Sequence, residues 1–108
     1  MTSEETEETH TYKVKKTAEN IISVVSQAIN NRAREIMVNV EDGTSLVFWI
    51  DEIERVEILG DLILFKLKDL RSYSMVHYKK IFDIQIYKTQ RAYVSEDVVF
   101  EDEEEIAL

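Results

Sequence analysis

Few side chains in this 108-residue sequence have the chemistry of a reactive or ligating site, and their spacing supports little of it. There are two histidines. His10 lies in a head of Ser, Thr and Glu, and His77 alternates with Tyr73 and Met75 as on a strand. Neither has a carboxylate or nucleophile at a spacing that would make a triad or a metal pair. Without Cys there is no thiolate nucleophile, no thiolate metal site and no disulfide framework. Asp51, Glu52 and Glu54 form an acidic knot that would attract a cation, yet the same residues suit an exposed corner of the chain. The acidic run at 101–105 lacks the Gly turn and alternating oxygen ligands of a calcium loop. With Gly only at 43 and 60, no glycine-rich loop can cradle a phosphate. These residues argue against an enzyme, and no cofactor or metal is expected.

Two other sets point to binding. The basic residues Lys66, Lys68, Arg71, His77, Lys79, Lys80, Lys88 and Arg91 could form a rim for nucleic acid. Trp49, Tyr73 and Tyr87 would then serve as stacking surfaces. The apolar residues Val47, Trp49, Leu62, Leu64, Met75 and Tyr87 fall on the strand face opposite the main apolar alternation. Leu59 joins them. That face is too apolar to be left to water, so a helix or a second subunit should cover it.

The elements that must position these residues are organised around a unit written twice. Residues 50–58 align with residues 78–86, a spacing of 28, with apolar residues at 50/78, 53/81, 56/84 and 58/86. Gaps of three fit one tight helical turn, and the closing gap of two fits a strand. Each copy reads as the end of a strand, a one-turn corner and the start of the next strand.

Between these corners and around them lie hairpins. After Ile36, Val38 and Val40, a three-residue loop with Gly43 left-handed would set Val38 opposite Leu46 and Ile36 opposite Phe48. That register gathers Ile36, Val38, Val40, Leu46, Phe48 and Ile50 on one face. A two-residue turn at Gly60-Asp61 sets Ile58 opposite Ile63 and Val56 opposite Phe65. Upstream, Ala18, Ile21, Ile22, Val25, Ala28 and Ile29 make one apolar stripe of a helix, with Thr17 as N-cap and Asn30-Asn31 as stop. Residues 12–16 alternate like a short edge strand guarded by Lys. The fold class is therefore α+β: an N-terminal helix packed on a bent, mostly antiparallel sheet or small open barrel of about six strands.

The net charge of −9 belongs to the ends. Residues 1–10 carry four acids and residues 96–108 carry seven, without any Lys or Arg, so all 13 basic residues share the middle with the other eleven acids. The expected organisation is a disordered acidic tail over 1–11, a single domain over 12–94 and an acidic tail over 95–108. Within that last tail, Val98, Val99 and Phe100 form a motif able to add as a strand to a partner's sheet edge.

Helix, hairpin and bent strand, followed by Val76-His77-Tyr78-Lys79-Lys80-Ile81-Phe82-Asp83-Ile84, resemble an archaeal domain family described as recognising cyclic-group ends of RNA. The likeness covers about residues 17–88. That family closes with an apolar–Pro–Tyr–His–Arg–Ile segment; here His77 stands in place of the Pro and Lys79 in place of the His. The family's earlier His-Arg-Gly falls near Glu41-Asp42-Gly43, which keeps Gly43. The resemblance implies a shared fold and, through it, RNA-end recognition. Sm-like barrels share the helix-then-bent-sheet order, without their signature Asn and Gly positions appearing here.

The expected function is a non-enzymatic interaction module that self-associates or docks through the second apolar face, its acidic tails meeting a basic protein. The alternative is an RNA- or DNA-binding domain using the basic rim. No apolar run is long enough for a membrane helix, and a cytoplasmic, oligomeric protein is the expectation.

Overall fold

Two single turns of 3₁₀ helix, Ile50–Glu52 and Tyr78–Lys80, bend the chain where the 28-residue spacing predicts its corners. Each closes through a backbone bond, from Ile53 N–H to the Ile50 carbonyl and from Ile81 N–H to the Tyr78 carbonyl. The likeness goes one residue further. Just past each corner the strand pairing skips one residue, Glu54 in the first copy and Phe82 in the second. Such an extra residue kinks a strand and increases its twist. Ile53 and Ile81, the residues before the skip, are both buried.

The computed structural model describes residues 9–69, 72–88 and 96–102. These form one helix and eight strands in two sheets: β1 (His10–Lys15), α1 (Ala18–Asn30), β2 (Glu35–Val40), β3 (Ser45–Trp49), β4 (Ile53–Leu59), β5 (Leu62–Leu67), β6 (Tyr73–His77), β7 (Ile81–Tyr87) and β8 (Glu96–Glu101). One sheet has the order β1-β8-β7-β2-β3 and the other β4-β5-β6. The corners carry β3 into β4 and β6 into β7, so the same bent ribbons contribute to both sheets. All pairings are antiparallel except β1 with β8.

The α+β class and the bent sheet follow the sequence reading. The number of strands does not, and the barrel is not closed. The added strands are at the two ends. Tyr12 lies opposite Val98 and Val14 opposite Phe100 in β1 and β8, which are far apart in sequence. Only tertiary pairing reveals that contact.

The inner faces of the two sheets share one core. Ile36, Val38 and Phe48 meet Ile84, Ile86, Val98 and Phe100 from the larger sheet, with Ile53, Ile63 and Phe65 from the smaller. Phe48 stacks on Phe65 with ring centroids 4.6 Å apart, joining the two sheets through one aromatic contact. Ile36 stands opposite Phe48 and Val38 opposite Leu46, the three-residue-loop register, and Gly43 has φ +94°. Ile58 faces Ile63 and Val56 faces Phe65, also as the sequence indicates.

The apolar stripe of α1 (Ala18, Ile21, Val25, Ala28) is buried in this same core, against β4 and β5. Thr17 caps the helix, its Oγ1 accepting from Asn20 N–H at 3.0 Å. At the other end the left-handed residue is Arg32, not Asn30 or Asn31 (φ +60°). Ala33 N–H then bonds to the Ala28 carbonyl and Arg32 N–H to the Ile29 carbonyl, satisfying two end-of-helix carbonyls as a Schellman motif does.

Candidate interaction surface and a buried carboxyl pair

Because the inner faces meet in the core, the two outer faces point away from each other. This divides the second apolar face foreseen from the sequence. Val47 and Trp49 lie on the outer side of the five-stranded sheet, exposed, with the Arg34 guanidinium 5.3 Å from the Trp49 ring centre. Tyr87 shares that side but is buried. Leu62, Leu64 and Met75 lie on the outer side of the three-stranded sheet. The helix occupies the core and covers neither outer face.

On the smaller sheet, cross-strand rows order the outer face. Leu59, Leu62 and His77 form one row, Glu57, Leu64 and Met75 the next, and Arg55, Lys66 and Tyr73 the third. Tyr73 is 59% exposed, Met75 47% and Leu59 46%, around a half-buried Leu62 and a buried Leu64. The charges beside them are matched within the chain. Arg55 bonds Glu57 and lies 3.3 Å from Glu54, Lys66 lies 3.7 Å from Glu54, and His77 Nε2 lies 3.7 Å from Asp61. Among the described residues no strand pairs with the far edge of β6. Its five residues, Tyr-Ser-Met-Val-His, hold none of the Lys or Pro that usually guard such an edge.

The basic residues do not gather into a rim. Lys66 and Lys68 sit at one end of β5, whereas His77 pairs with Leu62 at the other end, ~15 Å away at the rise of a strand. Lys79 and Lys80 belong to the second corner, and Lys88 follows the opposite end of β7, 3.0 Å from Glu96. Arg71 and Arg91 lie outside the described residues. His77 serves the corner itself, its Nδ1 accepting from Lys79 N–H at 3.2 Å. Around that corner stand Glu41, Asp42, Asp61 and Asp102, so its lysines do not make a cationic field. Lys16, buried, ties this region together: its Nζ bonds Glu41 at 3.2 Å and the Lys79 carbonyl at 2.9 Å, and lies 3.8 Å from Asp102.

The expected tail from residue 95 onward is corrected over 96–101. Val98, Val99 and Phe100 do not hang free for a partner; they are the middle of β8, held between β7 and β1, with Val98 and Phe100 in the core. Burying those two side chains favours the strand despite the acids around them, of which Asp97 and Glu101 alternate to the other face. The acids at 1–8 and 103–108 lie outside the described residues.

The most unusual polar group is one that spacing and motifs do not mark out. On the outer side of the five-stranded sheet, Asp83 of β7 is only 3% exposed, and Asp97 of β8 lies beside it, one row along. Asn39 Nδ2 donates to Asp83 Oδ1 at 2.7 Å, and Ser45 Oγ donates to Asn39 Oδ1 at 2.6 Å. Asp97 Oδ1 is buried with no partner among the described residues. Burial first, then the hydrogen bond and charge of Asp83, push the Asp97 carboxyl up to about 7. Tyr87 is raised as well, by burial and by the charges of Glu35, Asp83 and Asp97. The available signal was Asp83, an acid set among Ile81, Ile84 and Ile86.

Between α1 and the inner side of β1 and β8 runs a groove of about 280 Å³ lined by Tyr12, Val14, Val24, Ile86 and Val98, closed at one end by Lys88 and Glu96. It is at the small end for a ligand pocket. No group of three or more His, Asp or Glu among the described residues is placed to hold a metal ion.

Comparison of the chain with protein-family models, with curated proteins and with solved structures finds no match in any of the three.

Proposed function

We propose that this chain is a non-enzymatic interaction module that pairs with a second copy of itself through the outer face and free edge of β4-β5-β6. The observation that carries this reading is the exposed apolar group of Leu59, Tyr73 and Met75, flanked by charges already matched within the chain. A surface whose charges are internally matched offers little to select a basic or acidic partner. An identical apolar surface complements it through a two-fold axis. Antiparallel pairing of β6 with its copy about Met75 would set Tyr73 against His77 of the other chain and join the two sheets into one of six strands.

Light scattering on a sizing column tests this. The wild-type chain should run as a dimer and Met75→Glu as a monomer with an unchanged circular dichroism spectrum. Val47→Glu, on the other outer face, should leave the dimer intact. A wild-type monomer at high concentration, or loss of the dimer in Val47→Glu and not in Met75→Glu, overturns the reading. Salt-sensitive capture of single-stranded RNA by the Met75→Glu monomer would favour the nucleic-acid class instead.

A further inference from the structure

We propose that the Asp83–Asp97 pair makes the seating of β8 on β7 depend on a proton, so that β8 and β1 loosen together when both carboxyls are ionised. Asp83 is 3% exposed, Asp97 lies one row along on the same face, and Asp97 Oδ1 is buried without a hydrogen-bond partner among the described residues, so ionising both carboxyls sets two like charges side by side in a buried place. The nearest side-chain donor, the Asn39 amide, is already given to Asp83. Asp97 Oδ1, buried and unpartnered, therefore has no donor among the described residues to receive its charge once the proton leaves.

The surroundings do not supply compensation. From β2 the facing groups are Glu35 and Asn39; from β7 they are Gln85 and Tyr87. Thr11 of β1 stands opposite Asp97, and the nearby Lys13 ammonium lies 3.7 Å from Glu101. Among the described residues, Asp97 is thus flanked by acids and neutral groups, with the nearby Lys13 paired to Glu101. The ends of β8 are held differently, by Lys88 with Glu96 at 3.0 Å and by Lys16 with Asp102 at 3.8 Å.

Among the described residues, β1 pairs with no strand of the sheet other than β8. Weakening the β7–β8 contact at Asp97 therefore acts on both strands, and on the groove between them and α1. The sign follows from the raised carboxyl. In the unfolded chain an Asp loses its proton near ~3.9, whereas the folded pair keeps it up to about 7. The stabilisation is full below ~4, declines as pH rises through that interval, and is gone above about 7.

Amide hydrogen exchange on the full chain, corrected for intrinsic rates, reads this directly. Between about pH 5.5 and about pH 8.5, protection of 97–99 and 11–13 should fall roughly tenfold or more relative to β2 and β3. Asp97→Asn and Asp83→Asn each remove one of the two charges and keep a polar side chain. Either should hold β8 protection level across the same range. His10→Gln, which removes the titrating group opposite Glu96, should leave the wild-type dependence in place. Equal protection of the wild type at both pH values overturns the proposal. So does a dependence that survives both Asp variants or disappears with His10→Gln.

Discussion

Single residues decide the turns of this fold, and two of its three left-handed positions, Gly43 and Arg32, make opposite predictions. Gly43 sits at φ +94° with no atom within 4 Å of where a Cβ would be. A side chain there would meet open space, so the cost of Gly43→Val is backbone strain alone, about 1–2 kcal/mol. Urea denaturation should show that loss with an unchanged slope, and a neutral result would mean that the hairpin does not need this conformation. Arg32 bears the same kind of strain with its side chain in place, at φ +60° in the Schellman turn. Arg32→Gly removes the Cβ conflict and adds only the flexibility of glycine to the unfolded chain. It should stabilise by about 0.5–1 kcal/mol in the same assay. Beside Gly43, Asp42 accepts from Thr44 N–H at 2.8 Å, and its hydrogen bonding to Thr44 holds its carboxyl below the ordinary value. Its contribution is present above the unfolded value and disappears as acid protonates it.

At the scale of elements, what could be read from the sequence was local. The corners, the N-cap at Thr17 and both hairpin registers follow from spacing over a few residues and a turn residue, because local sterics and alternation set them. Helix α1 was legible, but its place was not: an apolar stripe says that something will cover it, not which face it seeks. β8 was hidden for a related reason. Its acids resemble a solvated tail, and one of its two partners, β1, lies at the other end of the chain. The alternation of Val98 and Phe100 with Asp97, Val99 and Glu101 was the clue, outweighed by composition. Phe100, 4% exposed in the core, separates the two readings. In a tail, Phe100→Ala would be silent; in β8 it should cost about 3–5 kcal/mol, the usual range for a buried Phe. A shift of the thermal midpoint by several degrees would agree with that cost. An unchanged midpoint would return residues 96–101 to the tail.

For the whole molecule, the decisive quantity is how a chain of net charge −9 can associate with its own copy. Two such chains repel at long range, while the surface proposed to join them is apolar and its neighbouring charges are matched within each chain. The two contributions respond to salt in different ways. Repulsion is screened over ~30 Å at 0.01 M and ~8 Å at 0.15 M, whereas apolar burial is little changed over that range. The dissociation constant of the dimer should therefore fall as salt rises, by roughly severalfold, for a reduction in repulsion of about 1 kcal/mol. Polyanion binding predicts the reverse, since phosphate contacts release counterions and weaken steeply with added salt. Sedimentation equilibrium over that salt series distinguishes the two directly. Dimerisation that strengthens with salt, and is abolished by Met75→Glu at every concentration, identifies an apolar self-pairing surface on β4-β5-β6. Dimerisation that weakens with salt would mean that ion pairs between chains hold it. The matched charges of Arg55 and Lys66 would then have to exchange their partners for those of a second chain.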